Sequence, residues 1–237
     1  MLVFAHRGES AHHPENSRTA IQACADIEID GIELDIYQVG QQFVVFHDRW
    51  LTRELGMQKR ILQLTEDELT NLIGRDGLPL PTLEWVMSTL ANSTLTLNLE
   101  LKFIAKMKDF TLELKRLCNR YAVSFDRLLV SSFNHKDLQD FHSHLPDVKL
   151  GLLIAHHPIA LTQVLPGFPL FSIHLDMSCL SASLIAECRA LGLEVYIFTV
   201  DHEDELSWLY EHNASGVFAN DPRHAQQFIA SLTFTKP

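Results

Sequence analysis

Short apolar runs recur along the chain and are separated by longer stretches that mix apolar and polar residues. The runs are almost continuously apolar, which is typical of parallel strands buried on both faces of a sheet. They comprise Leu2–Ala5, Ile32–Ile36, Phe43–Phe46, Leu95–Leu101, Leu128–Ser131, Val148–Ile154, Leu170–Leu175, Val195–Val200 and Gly216–Ala219.

The stretches between these runs show the apolar spacing of amphipathic helices. They comprise Ser17–Ile27, Glu66–Ile73, Thr82–Leu90, Met107–Ala122, Lys136–His144, Pro158–Leu165, Ala182–Leu191, Glu203–His212 and Arg223–Leu232. Together the two patterns form about eight strand–helix units, the number in a (β/α)8 barrel, and one additional short strand. We therefore expect an α/β fold, a (β/α)8 TIM barrel with a small insertion after the second strand.

The segment that follows the second strand predicts a tight reversal of the chain. Gly40 lies between two apolar runs and can adopt the positive φ that such a turn needs. The reversal would bring His47 back beside Glu33 and Asp35. The next stretch, 48–81, is more polar and only weakly periodic, and we interpret it as an insertion over the mouth of the barrel.

Composition is that of an ordinary globular protein, and a length of 237 residues fits one such barrel. No linker or internal repeat interrupts the chain, so we expect a single domain over residues 1–237. With 30 acidic and 19 basic residues, the net charge of −11 disfavours nucleic acid and anionic membranes as partners. A small-molecule substrate is expected, and the pattern leaves open a monomer or a homodimer.

The four cysteines show no C-x-x-C spacing, and a chain of this length does not need disulfides to stabilise a core. We expect buried thiols. The N-terminus lacks the basic and apolar regions of a signal peptide, and no apolar run approaches the roughly 20 residues that cross a bilayer. These features favour a reducing, cytoplasmic location.

Ionisable residues recur where the predicted strands end, which is where barrel enzymes build their active sites. Glu33 and Asp35 are two apart on one strand and share a face, as do Glu100 and Lys102 on another. Carboxylates that converge would repel one another, so such a cluster implies a cation. Because the ligands are all oxygen atoms, Mg²⁺ or Ca²⁺ is favoured over Zn²⁺.

The first strand adds groups that suit an anionic ester. Arg7 has a planar fork of donors that matches phosphate oxygens, and Gly8 allows the backbone to approach a ligand closely. Arg7, Lys102 and a divalent cation together balance three carboxylates and one phosphodiester. His6 and His47 at the same mouth are candidates for general acid and general base near neutral pH.

In combination these residues resemble the glycerophosphodiester phosphodiesterase family. Any one motif is weak, but they occur in order from residue 6 to residue 222 and cover almost the whole chain. The matching motifs are His6-Arg7-Gly8, Pro14-Glu-Asn-Ser17, Glu33-Leu-Asp35, His47-Asp48, Pro81-Thr-Leu-Glu84, Glu100-Leu-Lys102, Ser132-Phe133 and Phe198-Thr-Val-Asp201.

The resemblance implies a metal-dependent barrel that hydrolyses glycerophosphodiesters to sn-glycerol 3-phosphate and an alcohol. It assigns Glu33, Asp35 and Glu100 to the metal, His6 and His47 to acid–base chemistry, and Arg7 and Lys102 to the phosphate. We interpret His6 as the base and His47 as the acid, although the reverse assignment stays open. Direct attack by water and closure of a cyclic phosphate by a glycerol hydroxyl are both compatible with the motifs.

The chain departs from the family pattern at a few positions. The reversal after Asp35 carries Val39-Gly-Gln-Gln42 in place of the usual Thr-x-Asp-Gly, and we expect the hairpin to persist with another turn type. Phe198 replaces a Trp, which implies a smaller apolar wall against the glycerol. Asp201 replaces an Asn and Asn220 replaces an Asp. We expect these departures to alter substrate fit and to leave the metal, acid–base and phosphate groups untouched.

Two other functions compete with this hypothesis. A phospholipase D-like enzyme acting on lysophospholipid or sphingomyelin would keep the site, but it would need an apolar, membrane-facing loop that the sequence does not clearly show. A catalytically silent phosphate-binding protein would ordinarily have lost a ligand or a histidine, and this chain has them all.

Overall fold

The computed structural model describes residues 1–234, in which eight parallel strands close into a barrel. The ring order is β1-β2-β4-β5-β6-β7-β8-β9, and pairing of β1 with both β2 and β9 closes it. The (β/α)8 barrel predicted from the apolar runs is therefore confirmed. The strands are β1 (Leu2–His6), β2 (Gly31–Val39), β3 (Gln42–Val45), β4 (Thr96–Phe103), β5 (Leu128–Ser132), β6 (Lys149–Ile154), β7 (Ser172–Asp176), β8 (Glu194–Phe198) and β9 (Gly216–Ala219).

Helices surround the barrel and also lie in the segment that follows β3. They are α1 (Arg18–Cys24), α2 (Thr52–Leu55), α3 (Glu66–Thr70), α4 (Leu83–Thr89), α5 (Met107–Tyr121), α6 (His135–His144), α7 (Ala182–Ala190), α8 (Glu203–Glu211) and α9 (Pro222–Phe234). Across residues 1–234, none of them is long and apolar enough to pass through a bilayer.

The predicted helix over 158–165 is wrong, because that stretch forms only a 3₁₀ turn at Leu161–Gln163. Pro158 can begin a helix, but Pro166 cannot continue one, because it has no amide N–H to donate and it disfavours helical backbone in the residue that precedes it. The turn between them is too short to nucleate a stable α-helix. The connection from β6 to β7 therefore lacks the helix that the periodicity suggested.

The predicted reversal is confirmed as a hairpin of β2 and β3. The two strands pair antiparallel, with Val39 opposite Gln42, and Gly40 has a φ of 60° in the intervening turn. After β3, the Phe46 amide donates to the Asp35 carbonyl at 3.0 Å. The hairpin therefore carries the next residue, His47, back to the end of β2.

Two apolar cores lie on either side of this hairpin. The larger one fills the space between the barrel and its helices. The smaller one lies beneath the segment 48–81 and includes the buried side chains of Leu51, Ile61 and Leu69 together with Tyr37 of β2. This segment, although more polar than the rest of the chain, thus has a packed interior that holds it against the barrel.

The barrel interior is filled by side chains, as in other barrels of this type. Phe4, Leu129, Tyr196 and Phe218 form an apolar cluster inside the ring. His174 packs against this cluster and accepts or donates a hydrogen bond at 2.9 Å with Ser172, and burial lowers its pKa to about 3. This plug closes the interior.

The cysteines carry free thiols in the structure. Cys24, Cys118 and Cys188 are buried, and Cys179 is partly buried. The expectation of buried thiols is confirmed for the first three.

Candidate active site

Three carboxylates converge at the carboxyl ends of β2 and β4. Glu33 and Asp35 project from the same face of β2, and Glu100 lies directly opposite Asp35 in the β2–β4 register. One oxygen of each carboxylate lies within 4.8 Å of one oxygen of each of the others. Glu33 is 3% exposed and Asp35 is 1% exposed, so neither charge is stabilised by bulk water.

Burial and mutual repulsion dominate the electrostatics of this group. Burial, then Asp35, then Glu100 raise the pKa of Glu33 well above its ordinary value. Burial and Asp35 raise the pKa of Glu100 to about 7. Burial also works against ionisation of Asp35, but Lys102 and Arg7 outweigh it and hold the pKa of Asp35 below its ordinary value.

Two basic side chains lie against the carboxylates. Lys102 Nζ is 3.0 Å from Asp35 Oδ1 and 2.5 Å from Glu100 Oε1. Arg7 Nε is 3.4 Å from Asp35 Oδ2. Burial opposes the charge on Lys102, yet its pKa is raised because Asp35 and Glu100 face it. Both cations remain charged and face the same small volume.

This donor set fits a divalent cation. Glu33 Oε1 is buried and, among the described residues, has no hydrogen-bond partner. Leaving a buried carboxylate oxygen without a partner is costly, and a hard cation that prefers oxygen ligands would satisfy it. Glu33, Asp35 and Glu100 are thus the residues that could hold a metal ion.

The turn after β1 brings the backbone into this site. The Arg7 amide donates to Glu33 Oε2 at 3.1 Å, and Arg7 itself has a φ of 60°. Gly8 follows with a φ of 84°, and a Cβ there would lie 2.7 Å from the Cβ of Ala20. The glycine is therefore required both by its dihedral angle and by the close packing of α1.

Asn16 is a further group at the carboxylates. Its Nδ2 donates to Asp35 Oδ2 at 2.7 Å, and its φ of 54° lies in the left-handed region. Asn tolerates this conformation better than most residues. The amide orients Asp35 and adds to the stabilisation of its charge.

His6 is partly buried and is oriented by a neutral partner. Its Nδ1 is 2.8 Å from Asn220 Oδ1. Asn220 Nδ2 donates to Asp201 Oδ2 at 2.7 Å, and since a carboxylate only accepts, the amide oxygen must face His6. His6 therefore carries its proton on Nδ1, which leaves Nε2 as the acceptor. Burial and the nearby Arg7 lower the pKa of His6 to about 4.

Asp201 and Asn220 correct one expectation from the sequence. They were expected to leave the acid–base groups untouched, but Asn220 contacts His6 directly, so that expectation is wrong. The residue types at the two positions are exchanged relative to the pattern that the chain resembles, and they hydrogen-bond to each other. The exchange places an amide, instead of a carboxylate, against the imidazole.

His47 faces the site from the opposite side and is held by a charged network. Its Nδ1 is 2.7 Å from Asp48 Oδ1. Arg53 of α2 contacts Asp48 at 2.6 Å and Glu15 at 2.7 Å, and Glu15 contacts Arg7 at 2.9 Å. The segment 48–81 thereby connects the His47 side of the site to the Arg7 side.

Aromatic side chains flank the mouth near Lys102. Phe198 lies at the end of β8 and packs edge-to-face against Phe133, with ring centroids 5.9 Å apart. Lys102 Nζ lies 6.0 Å from the centre of the Phe133 ring. The sequence predicts Phe198 as an apolar wall against the glycerol. In the structure, Phe198 and Phe133 are two rings near Lys102.

The chain is similar to known proteins over the part that contains these residues. The model of the glycerophosphoryl diester phosphodiesterase family matches residues 6–224. The chain belongs to this family. Membership makes the protein an enzyme that hydrolyses glycerophosphodiesters. The match begins at His6 and extends beyond Asn220, so it includes every site residue described above.

Three relatives span almost the same length as this chain. A glycerophosphodiester phosphodiesterase of Caldanaerobacter subterraneus is 26% identical, over 93% of this chain and 94% of the relative. An Oleispira antarctica phosphodiesterase, solved in complex with the product sn-glycerol-3-phosphate, is 25% identical with a TM-score of 0.86 and 97% of each chain covered. A glycerophosphodiester phosphodiesterase structure from Parabacteroides distasonis has a TM-score of 0.82 at 23% identity and 98% coverage of each chain, which supports the barrel fold.

The structure brings together the residues that the sequence placed at the site. Glu33, Asp35, Glu100, Arg7 and Lys102 form one buried cluster, with His6 paired to Glu33 in the β1–β2 register. His47 faces the same cluster, whereas the histidines near the ends of β6 and β7 lie elsewhere. His156 and His157 are exposed after β6, and His174 lies in the barrel plug.

Sequence reasoning missed the supporting residues of this family site. Five of them contact a predicted site residue through the side chain, and Arg53 contacts two of those five. They are Glu15, Asn16, Asp48, Arg53, Phe133 and Asn220. Four of them lie in or beside family motifs, which is the signal that could have found them. Nothing in the sequence pattern marks Arg53, because its partner Glu15 lies 38 positions away in the chain.

Proposed function

We propose that this enzyme is a metal-dependent hydrolase that releases sn-glycerol 3-phosphate and an alcohol at the site between β1, β2 and β4. The observation that carries the proposal is the buried Glu33–Asp35–Glu100 group, with one carboxylate oxygen unpartnered and two basic side chains beside it. The product complex of the Oleispira antarctica relative supports the identity of the product.

Glu33, Asp35 and Glu100 would hold the metal, and Mg²⁺ or Ca²⁺ is the ion proposed because all ligands are oxygen atoms. When bound, the ion supplies polarisation of the phosphoryl oxygen and neutralises negative charge. Its positive charge also removes the repulsion that raises the pKa of Glu33 and of Glu100.

Arg7 and Lys102 would bind the phosphodiester. Each already faces the carboxylates, and neither side chain is more than 18% exposed, so a phosphate oxygen would meet donors that are held in place. The guanidinium of Arg7 can bind two phosphate oxygens at once, whereas Lys102 acts as a compact charge. Together they stabilise the charge that develops around phosphorus in the transition state.

His6 would act as the general base. Its Nδ1 proton is donated to Asn220, so the lone pair of Nε2 is available, and a pKa of about 4 keeps the ring neutral at physiological pH. Nε2 takes the proton of the attacking hydroxyl as its oxygen bonds to phosphorus. That hydroxyl belongs to water or to the glycerol itself.

His47 would act as the general acid. Asp48 accepts from Nδ1–H, which orients the imidazole and leaves Nε2 to face the departing oxygen. As the bond between phosphorus and the leaving oxygen breaks, Nε2 gives its proton to that oxygen and the alcohol leaves neutral. Phe198 would contact the glycerol with its ring.

We also propose the partners, the location and the assembly of the enzyme, from its composition and its free thiols. A net charge of −11 disfavours nucleic acid and anionic membranes, and free thiols fit the cytoplasm. A single domain that works as a monomer or a homodimer is the simplest assembly.

The test is turnover of a glycerophosphodiester panel, with lysophosphatidylcholine as comparator, with and without chelator. We expect metal-dependent release of sn-glycerol 3-phosphate, abolished in Glu33→Gln and Glu100→Gln. His6→Ala and His47→Ala should each lower kcat by about 10²- to 10⁴-fold, while His144→Ala on α6 keeps the wild-type rate. Full activity in chelator, or a wild-type rate in either carboxylate variant, would overturn the metal assignment.

A further inference from the structure

Two adjoining cavities open beside His47, and neither is lined by Glu33, Asp35 or Glu100. One has a volume of about 630 Å³ and is lined by His47, Arg49 and Trp50, among others. The second has a volume of about 420 Å³ and is lined by Arg49, Arg60 and Phe103, among others. Tyr37, Arg49 and Lys102 line both, so the two volumes form one continuous surface at the mouth.

Two arginines on this surface have no carboxylate partner. Within residues 1–234, neither Arg49 nor Arg60 forms an ion pair, although the chain carries 30 acidic residues against 19 basic ones. Their neighbours differ, since Arg53 contacts Asp48, Glu15 and Glu54, and Lys102 contacts Asp35 and Glu100. The guanidinium of Arg60 lies 5.8 Å from the centre of the Trp50 ring, which leaves its donors free.

The position of this surface relative to His47 connects it to one part of the substrate. In the proposed function, on which this step rests, His47 protonates the oxygen of the departing alcohol. The rest of that alcohol must then lie on the His47 side of the phosphate. The cavities lined by Arg49 and Arg60 are the space available there.

We infer that these cavities form a subsite for the leaving alcohol, in which Arg49 and Arg60 select alcohols that carry a negatively charged group. A carboxylate or phosphate on the alcohol pairs with the guanidinium groups, and an Arg–carboxylate pair can form two parallel hydrogen bonds. Trp50 and Phe103, which are 49% and 42% exposed, supply apolar contact for its carbon atoms. An alcohol that bears only a quaternary ammonium meets like charge at the same place.

Glycerophosphoserine and glycerophosphoethanolamine test this inference because their alcohols differ by one carboxylate. We expect the wild-type enzyme to have the higher kcat/KM for glycerophosphoserine. Arg49→Gln and Arg60→Gln should each lower the ratio of the two kcat/KM values by about threefold, and the double variant by about tenfold. The glycerophosphoethanolamine rate should stay near the wild-type value, and added salt should weaken the wild-type preference.

Matched variants separate charge from packing. Arg49→Lys with Arg60→Lys should retain most of the preference, and Arg120→Gln on the outer face of α5 should leave it unchanged. An unaltered substrate ratio in the double glutamine variant, with both substrates still hydrolysed, would overturn the subsite alone. Failure of the wild-type enzyme to hydrolyse either substrate would instead overturn the proposed function.

Discussion

At the scale of single residues, the partner of His6 determines which proton chemistry that histidine can perform. Asn220 offers a neutral amide oxygen at 2.8 Å, and Asp201 fixes the amide by accepting from its nitrogen. A carboxylate in the same place would favour the imidazolium form. Burial and Arg7 lower the pKa of His6 to about 4, and the neutral amide of Asn220 raises it less than a carboxylate would.

Asn220→Asp should move the acidic limb of the kcat/KM profile to higher pH. The new carboxylate stabilises protonated His6, so its pKa rises, by about 1 to 2 units, and the base is lost earlier as the pH falls. The measurement is kcat/KM for one glycerophosphodiester from about pH 3.5 to about pH 9. This range includes the pH values at which imidazoles titrate. Asn92→Asp on an exposed loop is the control. An acidic limb that stays in place would contradict the orienting role of Asn220.

At the scale of elements, the short helix α2 connects two sides of the site that are distant in the sequence. Its Arg53 contacts Asp48, the partner of His47, and Glu15, the partner of Arg7. The interior of the segment 48–81, which includes Leu51 and Ile61, packs against β2 and holds the helix in place. Through Arg53, the insertion thus holds the partners of His47 and Arg7 in position.

Arg53→Gln should lower kcat by about tenfold, with a smaller change in KM, because Asp48 and Glu15 lose the charge that positions them. Arg53→Lys should restore part of the rate. Arg75→Gln is the matched control, since Arg75 pairs with Glu54 of the same segment at 3.6 Å and touches neither Asp48 nor Glu15. Steady-state kinetics and the melting temperature are measured together. A fall in melting temperature with kcat unchanged would show that Arg53 is only structural.

At the scale of the whole molecule, the carboxylate group places a repulsive cluster where neighbouring barrel strands meet. Glu33 and Asp35 come from β2 and Glu100 comes from β4, so the repulsion acts between two paired strands of the closed ring. Lys102 and Arg7 offset part of it. A bound cation would remove the remainder and would therefore stabilise the barrel as a unit.

Mg²⁺ or Ca²⁺ should raise the melting temperature of the protein, by an amount equivalent to about 2.7 kcal/mol when the free ion is at 100 times its Kd. Glu33→Gln should abolish this rise and keep the metal-free melting temperature near that of the wild type, since the variant also removes one of three carboxylates that repel one another. Calorimetry should show one transition, as expected of a single domain. Glu113→Gln on α5 is the control, and an equal metal-induced shift in Glu33→Gln would remove Glu33 from the metal site.

The sequence alone determined the features that depend on short spacing. A residue two positions along a strand shares its face, so Glu33 with Asp35 and Glu100 with Lys102 could be placed together from spacing alone. Continuous apolar runs predicted the buried parallel strands, and Gly40 predicted the hairpin that returns His47 to β2. Periodicity failed in the connection between β6 and β7, where Pro166 limits helix length, and it did not reveal the short helix α2.

The contacts between residues that are distant in the sequence depend on closure of the barrel. The contact between His6 and Asn220 joins residues 214 positions apart, and Arg53 meets Glu15 across 38 positions. No local pattern encodes such contacts, because they depend on how strands β1 and β9 and the insertion are brought together in space. The tertiary structure therefore determined the charge state of His6, the bracing of His47 and Arg7, and the arginine-lined cavities at the mouth.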